Sequence, residues 1–168
     1  MISIDNSSFR DYHSLVGYDG SKIKRLLHID YIKHYRKLID SGLYDNLVQK
    51  KLLVAHDENK SNFNVDYTIE LTPQTIPFIS YPYEWSFNQL KDAAILTLEI
   101  NKIALEYGMI LKDSSVYNVQ FYGSKPIFID TASFEIYDEG KPWSAYQQFC
   151  RHFLAPLALC SYKDLNLK

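Results

Sequence analysis

The chain has few of the residues that would advertise a metal or disulfide scaffold. Its two cysteines, Cys150 and Cys160, stand ten apart with no C-x-x-C, so neither a cysteine zinc site nor a disulfide framework is signalled, and both read as reduced core thiols. The six glycines, at positions 17, 20, 42, 108, 123 and 140, never cluster. That removes the Gly-rich turn through which a nucleotide-cofactor fold lets its backbone approach the ligand. A basic excess is also missing: a net charge of -2 argues against a phosphate-backbone partner, and the lysines and arginines between Lys22 and Lys51 read as a solvated helix face. No stretch approaches the roughly 18 apolar residues of a membrane span, and the start Met-Ile-Ser-Ile has no basic leader region. The expectation is a cytoplasmic protein with no nucleic-acid and no membrane partner. The lack of H-E-x-x-H and of G-x-S-x-G removes metalloprotease and α/β-hydrolase readings.

What is present is aromatic and apolar: 14 Tyr and 9 Phe, with 46% hydrophobic and 23% charged residues in a chain of 168. That length suits one medium domain, which buries roughly 70% of the surface its unfolded chain exposes. Residues 12–27 read as a β-hairpin turning around Gly17-Tyr-Asp-Gly20. Asp30 is placed to cap a helix that carries Ile32, Tyr35, Leu38 and Ile39 and stops at Gly42, and a second short helix is expected over 44–53. Residues 56–64 read as a polar loop, 63–71 as a half-buried strand and 76–81 as a second strand, with Pro73, Pro77 and Pro82 confining both to edges. Ser86-Phe-Asn-Gln89 has the form of a capping box opening a long helix that Gly108 ends. Short apolar runs come next at Met109-Ile-Leu, Val119-Gln-Phe-Tyr and Pro126-Ile-Phe-Ile, the last two joined by a Gly123-Ser124 hairpin turn. A helical stretch over 143–159 is expected to kink at Pro156.

The chemistry concentrates in 109–130. Lys112-Asp-Ser-Ser-Val-Tyr-Asn118 sets an Asp and an Asn five residues apart between short strands, and the next hairpin ends in Ile129-Asp130. Three oxygen-bearing side chains thereby converge at one end of a small sheet. Phosphoryl transfer from ATP needs such a set: a base or orienter for the attacking hydroxyl, and oxygen ligands that hold Mg²⁺ against phosphates. The alternative is that Asp113 and Asn118 shape a turn and Asp130 caps the segment after it. A carboxylate at the end of an apolar strand is costly unless a cation or donor meets it, which favours the first reading.

This D-x-x-x-x-N followed by a hairpin and a terminal Asp resembles the catalytic loop and metal-binding Asp of protein kinases. The resemblance implies an α+β, protein-kinase-like fold: a small antiparallel N-lobe sheet with its hinge over 1–85, and a mainly helical, incomplete C-lobe over 86–168. It implies ATP and Mg²⁺ as cofactors, Asp113 as the catalytic residue, and Asn118 and Asp130 as metal ligands. Lys24 or Arg25, on the strand after the first turn, would stand in for the phosphate-binding lysine, the alternative being an exposed edge-strand charge. Glu84, with the backbone of 80–84, would face the adenine, while Trp85 reads as packing and His152 as a satisfied interior histidine. Pro82-Tyr-Glu-Trp85, the 112–130 segment, Ser41-Gly-Leu-Tyr44 and the run from Pro142-Trp-Ser-Ala-Tyr onward also resemble, from Phe9 on, the N-terminal region of bacterial SAM-dependent methyltransferase and nodulation-related proteins. A methyltransferase domain or chain is therefore an expected partner, beside a nucleotide and a small-molecule acceptor.

The departures from active kinases are specific. Leu111 and Lys112 stand where His and Arg precede the catalytic Asp, Thr131 and Ala132 replace the Phe and Gly of D-F-G, and no Glu occurs before Glu58 to pair with a strand lysine. The competing reading is a non-catalytic scaffold that kept the fold and lost the nucleotide. Methyl transfer borne by residues outside this chain is a third. The apolar positions of 149–159 are expected to leave an exposed surface open to self-association.

Overall fold

The computed structural model describes residues 2–5 and 12–163, so Phe9, where the family likeness begins, lies outside the described residues. Its first layer is a five-stranded antiparallel sheet of order β1-β2-β3-β5-β4, built from β1 (Ser3–Ile4), β2 (Ser14–Asp19), β3 (Lys22–His28), β4 (His56–Lys60) and β5 (Tyr67–Pro73). The β2–β3 hairpin forms, but it turns at Gly20-Ser21, with Asp19 facing Lys22 and Gly20 at φ +60°. Gly17 is a strand residue for another reason. A Cβ there would lie 2.8 Å from the Ser3 carbonyl oxygen and 2.7 Å from Ile2, so only glycine lets β1 pass this close.

Helix α1 (Ile32–Asp40) buries Tyr35 and Leu38 and turns Lys33, Arg36 and Lys37 to solvent. Asp30 does not cap it. It sits in a 3-10 turn, Ile29–Tyr31, where the His28 ring accepts its backbone N–H. Helix α2 (Leu43–Gln49) ends in a Schellman arrangement: the Leu52 N–H reaches the Leu47 carbonyl at 2.9 Å and the Lys51 N–H the Val48 carbonyl at 2.9 Å. Lys51 holds the left-handed position at φ 59°, which glycine would occupy at about 1 kcal/mol less cost.

Several strand assignments differ from the sequence reading. The polar stretch after Ala55 is β4, paired from His56↔Pro73 to Lys60↔Ile69. Strand period fails there because β4 is an edge held by its backbone ladder, where charged side chains are an asset. Residues 76–81 form no strand, since Pro77 cannot donate and the Ser80 backbone is taken by the Gln120 side chain. β5 begins four residues later than the alternation suggested, and Val65 is exposed.

Helix α3 (Phe87–Glu106) opens with the expected box: Ser86 Oγ accepts the Gln89 N–H at 3.3 Å and Gln89 Oε1 the Ser86 N–H at 2.8 Å. It closes before Gly108 at φ +70°. β6 (Met109–Leu111) pairs with β9 (Phe134–Ile136), a strand the sequence did not announce, and β7 (Val119–Tyr122) pairs with β8 (Lys125–Phe128). The C-terminal helical run is α4 (Tyr146–Phe149), a π-helical segment (Cys150–Leu154) and α5 (Ala155–Tyr162). The break expected at Pro156 takes this widened form, because proline offers no N–H to the preceding turn.

One core cluster joins Leu38, Leu43, Leu47 and Leu53 to Trp85, the inner face of α3, and Phe128, Phe134, Phe149 and Phe153. A second holds Leu27, Tyr31, Tyr35, Ile69 and Leu71 with Ala132. Leu53 is stitched to Phe128 by a parallel bridge with two hydrogen bonds, Val54 N–H to the Phe128 carbonyl at 2.9 Å and Phe128 N–H to the Leu52 carbonyl at 2.8 Å. Phe149 and Phe153 are buried while Leu154 and Leu159 are exposed, so the apolar surface expected over 149–159 is confined to its outer positions. Among the described residues no helix is long and apolar enough to cross a membrane.

Candidate active site

The strand end that carries Asp130 lies between the two core clusters. The residue is 8% exposed and its carboxylate is engaged on both oxygens: Oδ1 accepts the Ala132 N–H at 2.9 Å and lies 2.9 Å from the Arg25 guanidinium. Oδ2 accepts the hydroxyl of Ser133 at 2.9 Å. The same Ser133 oxygen accepts the Asn118 side-chain amide at 3.0 Å. Asn118 and Asp130 are thus neighbours through one buried serine, with the Asn118 amide oxygen bonded to no described residue. Their strands converge as well, since the Ile129 N–H donates to the Asn118 carbonyl at 2.8 Å.

Asp113 sits on the loop entering this site. Its Oδ1 accepts the Ser115 N–H at 2.8 Å, which shapes the loop and leaves Oδ2 with no hydrogen bond among the described residues. The loop is anchored from the far side: the Ser114 N–H donates to Gln148 at 2.8 Å, its hydroxyl donates to the Ala145 carbonyl at 2.9 Å, and the Val116 N–H donates to His152 Nδ1 at 3.3 Å. His152 therefore serves the loop backbone.

Arg25 and Lys24 part company because successive strand residues point to opposite faces. Arg25 faces α1 and Asp130 and also donates to Ser14 at 2.7 Å. Lys24 is held on the other face by Glu70 at 2.6 Å and Thr72 at 2.8 Å, and is not brought to the Asp130 group. Glu84 is also elsewhere, closing a 3-10 turn by accepting the Tyr81 N–H at 2.7 Å. Both backbone groups of Ser80 are taken by the Gln120 amide, each at 3.0 Å, and Trp85 donates to the Ser80 hydroxyl while packed in the core. The connecting segment thus has little free backbone at Ser80 and Tyr81 to offer an adenine.

Sequence reasoning missed the supports. Tyr31, wholly buried, donates its hydroxyl to the Phe134 carbonyl at 2.8 Å and lies 3.2 Å from the Thr131 carbonyl. Its ring lies 4.7 Å from the ammonium of Lys112, the residue before Asp113. Behind the site, Tyr35 donates to Glu58 at 2.8 Å, so the 3.1 Å contact between its oxygen and His56 Nε2 requires the proton on Nε2. His56 Nδ1 is then the acceptor for the Thr131 hydroxyl at 3.4 Å. Burial pushes His56 down to about 4, keeping it neutral, and pushes Tyr35 far above its ordinary range. Burial acts to raise Glu58, but hydrogen bonds from Arg36 and Tyr35 outweigh it and the carboxyl titrates below its usual value. Only Ser133, three residues after Asp130, sits close enough in sequence to have been suspected.

Among the described residues no three His, Cys, Asp or Glu side chains converge as a metal cluster. A carboxylate and an amide oxygen are the ligand chemistry that Mg²⁺ takes, since that ion keeps waters and phosphate oxygens rather than a full protein cage, though here it is the Asn118 NH2 that faces Ser133. Arg25 is the opposing feature, a guanidinium already compensating the charged ligand.

No family model matches the sequence. The nodulation protein NoeA of Rhizobium meliloti (strain 1021) is 48% identical over 88 residues, which is 52% of this chain and 18% of that protein. The chain thus spans under a fifth of that relative's length. Among solved structures, that of vaccinia related kinase 3 superimposes with a TM-score of 0.50 at 10% identity, over 83% of this chain and 53% of that one. The fold is α+β and protein-kinase-like.

Proposed function

We propose that this chain is a kinase-like unit that binds ATP with Mg²⁺ and either transfers a phosphoryl group to a small molecule or acts as a degenerate regulator of an associated SAM-dependent methyltransferase. The observation that supports it most is Ser133, whose single oxygen joins the Asn118 amide to the Asp130 carboxylate in a buried setting. Asp130 does cap the 3-10 turn of Thr131–Ser133, and Asp113 does shape its own loop, as the alternative expected, but capping uses only Asp130 Oδ1 and does not require the buried Ser133 link on Oδ2. In this reading Asn118 and Asp130 are the oxygen ligands, Arg25 offers its charge to phosphate, and Asp113 turns its free oxygen to the acceptor hydroxyl. Magnesium, when bound, would neutralise charge on the phosphate oxygens. Arg25 would have to share Asp130 with the cation.

The scaffold reading draws on two observations: Arg25 already pairs with Asp130, and Gln120 already occupies Ser80. Calorimetric titration with ATP and Mg²⁺ separates the two. Binding that depends on Mg²⁺, is abolished in Asp130→Ala and is retained in Asp113→Asn is the expected result. Asp113→Asn should remove any turnover, since a positioned base contributes about 10²- to 10⁴-fold. Absence of nucleotide binding by the folded parent chain leaves the scaffold.

A further inference from the structure

A cleft of about 860 Å³ opens where α2, the segment after β5, α3 and the β7–β8 hairpin meet, and neither Asp113, Asn118 nor Asp130 lines it. Val48, Leu52, Ile76, Ile95 and Ile127 supply the apolar part of its walls, and Ile95 is 54% exposed between Asp92 and Glu99 on α3. A volume of this size is typical of a small-molecule site.

The polar groups of the cleft fall into two sets. Lys50 and Lys51, at the end of α2, and Lys125, at the hairpin turn, line it from one pair of elements, while Asp92 and Glu99 line it from α3. Asp92 and Glu99 lie seven residues apart, about 10 Å along the helix. None of the five makes an ion pair among the described residues. Opposite charges that border one cleft without pairing leave both signs available to a ligand.

Lys51 adds an independent sign. It is the one described non-glycine residue at positive φ, in the helix-ending position that glycine fills without strain, and it is among the residues that line the cleft. Strained residues of this kind cluster where a side chain is used.

From these placements we infer that the cleft is a binding site for a zwitterionic amphiphile: an acid group among Lys50, Lys51 and Lys125, an apolar chain over Ile95 and Ile127, and an ammonium against Asp92 and Glu99. The ligand would bridge both halves of the molecule and lie against β8, three residues before Asp130. The site is independent of nucleotide binding.

The test uses the whole chain with anilinonaphthalene sulfonate as fluorescent reporter. The reporter should bind saturably, and aminodecanoate should displace it at lower concentration than decanoate, with decylamine weakest. Lys51→Gly should melt about 2–4 °C higher through loss of backbone strain, yet bind more weakly. Adding Lys50→Ala and Lys125→Ala should weaken aminodecanoate at least about tenfold, as expected for a few partly solvated charge contacts. Ile95→Glu, at an exposed position that cannot unfold the core, should abolish reporter binding, and Asp130→Ala should leave it intact. Reporter binding unchanged in Ile95→Glu, or displacement by decylamine as good as by aminodecanoate, overturns the proposal.

Discussion

His56 is neutral because burial makes protonation costly, and its hydrogen bonds to Tyr35 and Thr131 are built around that state. Its folded value is about 4 against 6.5 in the open chain, so between those values the unfolded state binds more protons. Stability should therefore fall as the pH drops from about 6.5 toward 4, and His34, also lowered by burial, adds a contribution of the same sign. Urea unfolding of His56→Gln across that range should give a shallower dependence than the parent. Glu58 acts in a lower window, its stabilising effect disappearing only as the pH falls through its depressed titration. Tyr31→Phe removes the donor to the Phe134 carbonyl and should cost about 1–3 kcal/mol, read from the urea midpoint. The nearness of Asn118 to Asp130 could be expected from local spacing. Tyr31 could not, because its partner is 103 residues away and nothing near it in sequence marks a buried hydroxyl.

Elements were legible where local chemistry decided them. The capping box opens α3 as its four residues dictate, and Ser86→Ala should lower stability by about 1 kcal/mol in thermal unfolding. The hairpins after Gly20 and Gly123 follow from glycines at φ +60° and +64°. Legibility failed where a neighbour decided. β4 has no apolar alternation and exists because β5 offers a ladder, while the largely apolar residues 76–81 form no strand, Pro77 having no donor and Ser80 giving its backbone to Gln120. β9 pairs with β6, laid down a full hairpin earlier, so its three residues announced nothing by themselves. Gly17 shows the same dependence from the opposite side, and Gly17→Ala should detach β1, seen as faster hydrogen exchange at Ile4 and Asp5 without loss of the β2–β3 hairpin.

At the scale of the molecule, the strand order β1-β2-β3-β5-β4 and the helices beyond it are those of a kinase-like fold. The halves on either side of Ser86 nonetheless share their interior: Leu38, Leu43, Leu47 and Leu53 from the first pack with α3 and Phe128 from the second, and Ala132 returns to the sheet side. Calorimetry should accordingly record one unfolding transition whose calorimetric and van't Hoff enthalpies agree. The stitch between Leu53 and Phe128 carries a consequence for cutting the chain. A break between residues 85 and 86 severs a connection but no core, so the two polypeptides, each left with half an interior, should be insoluble alone and should reassemble when produced together. This bipartite chain could then serve as a split reporter, its recovery measuring how often the two pieces meet.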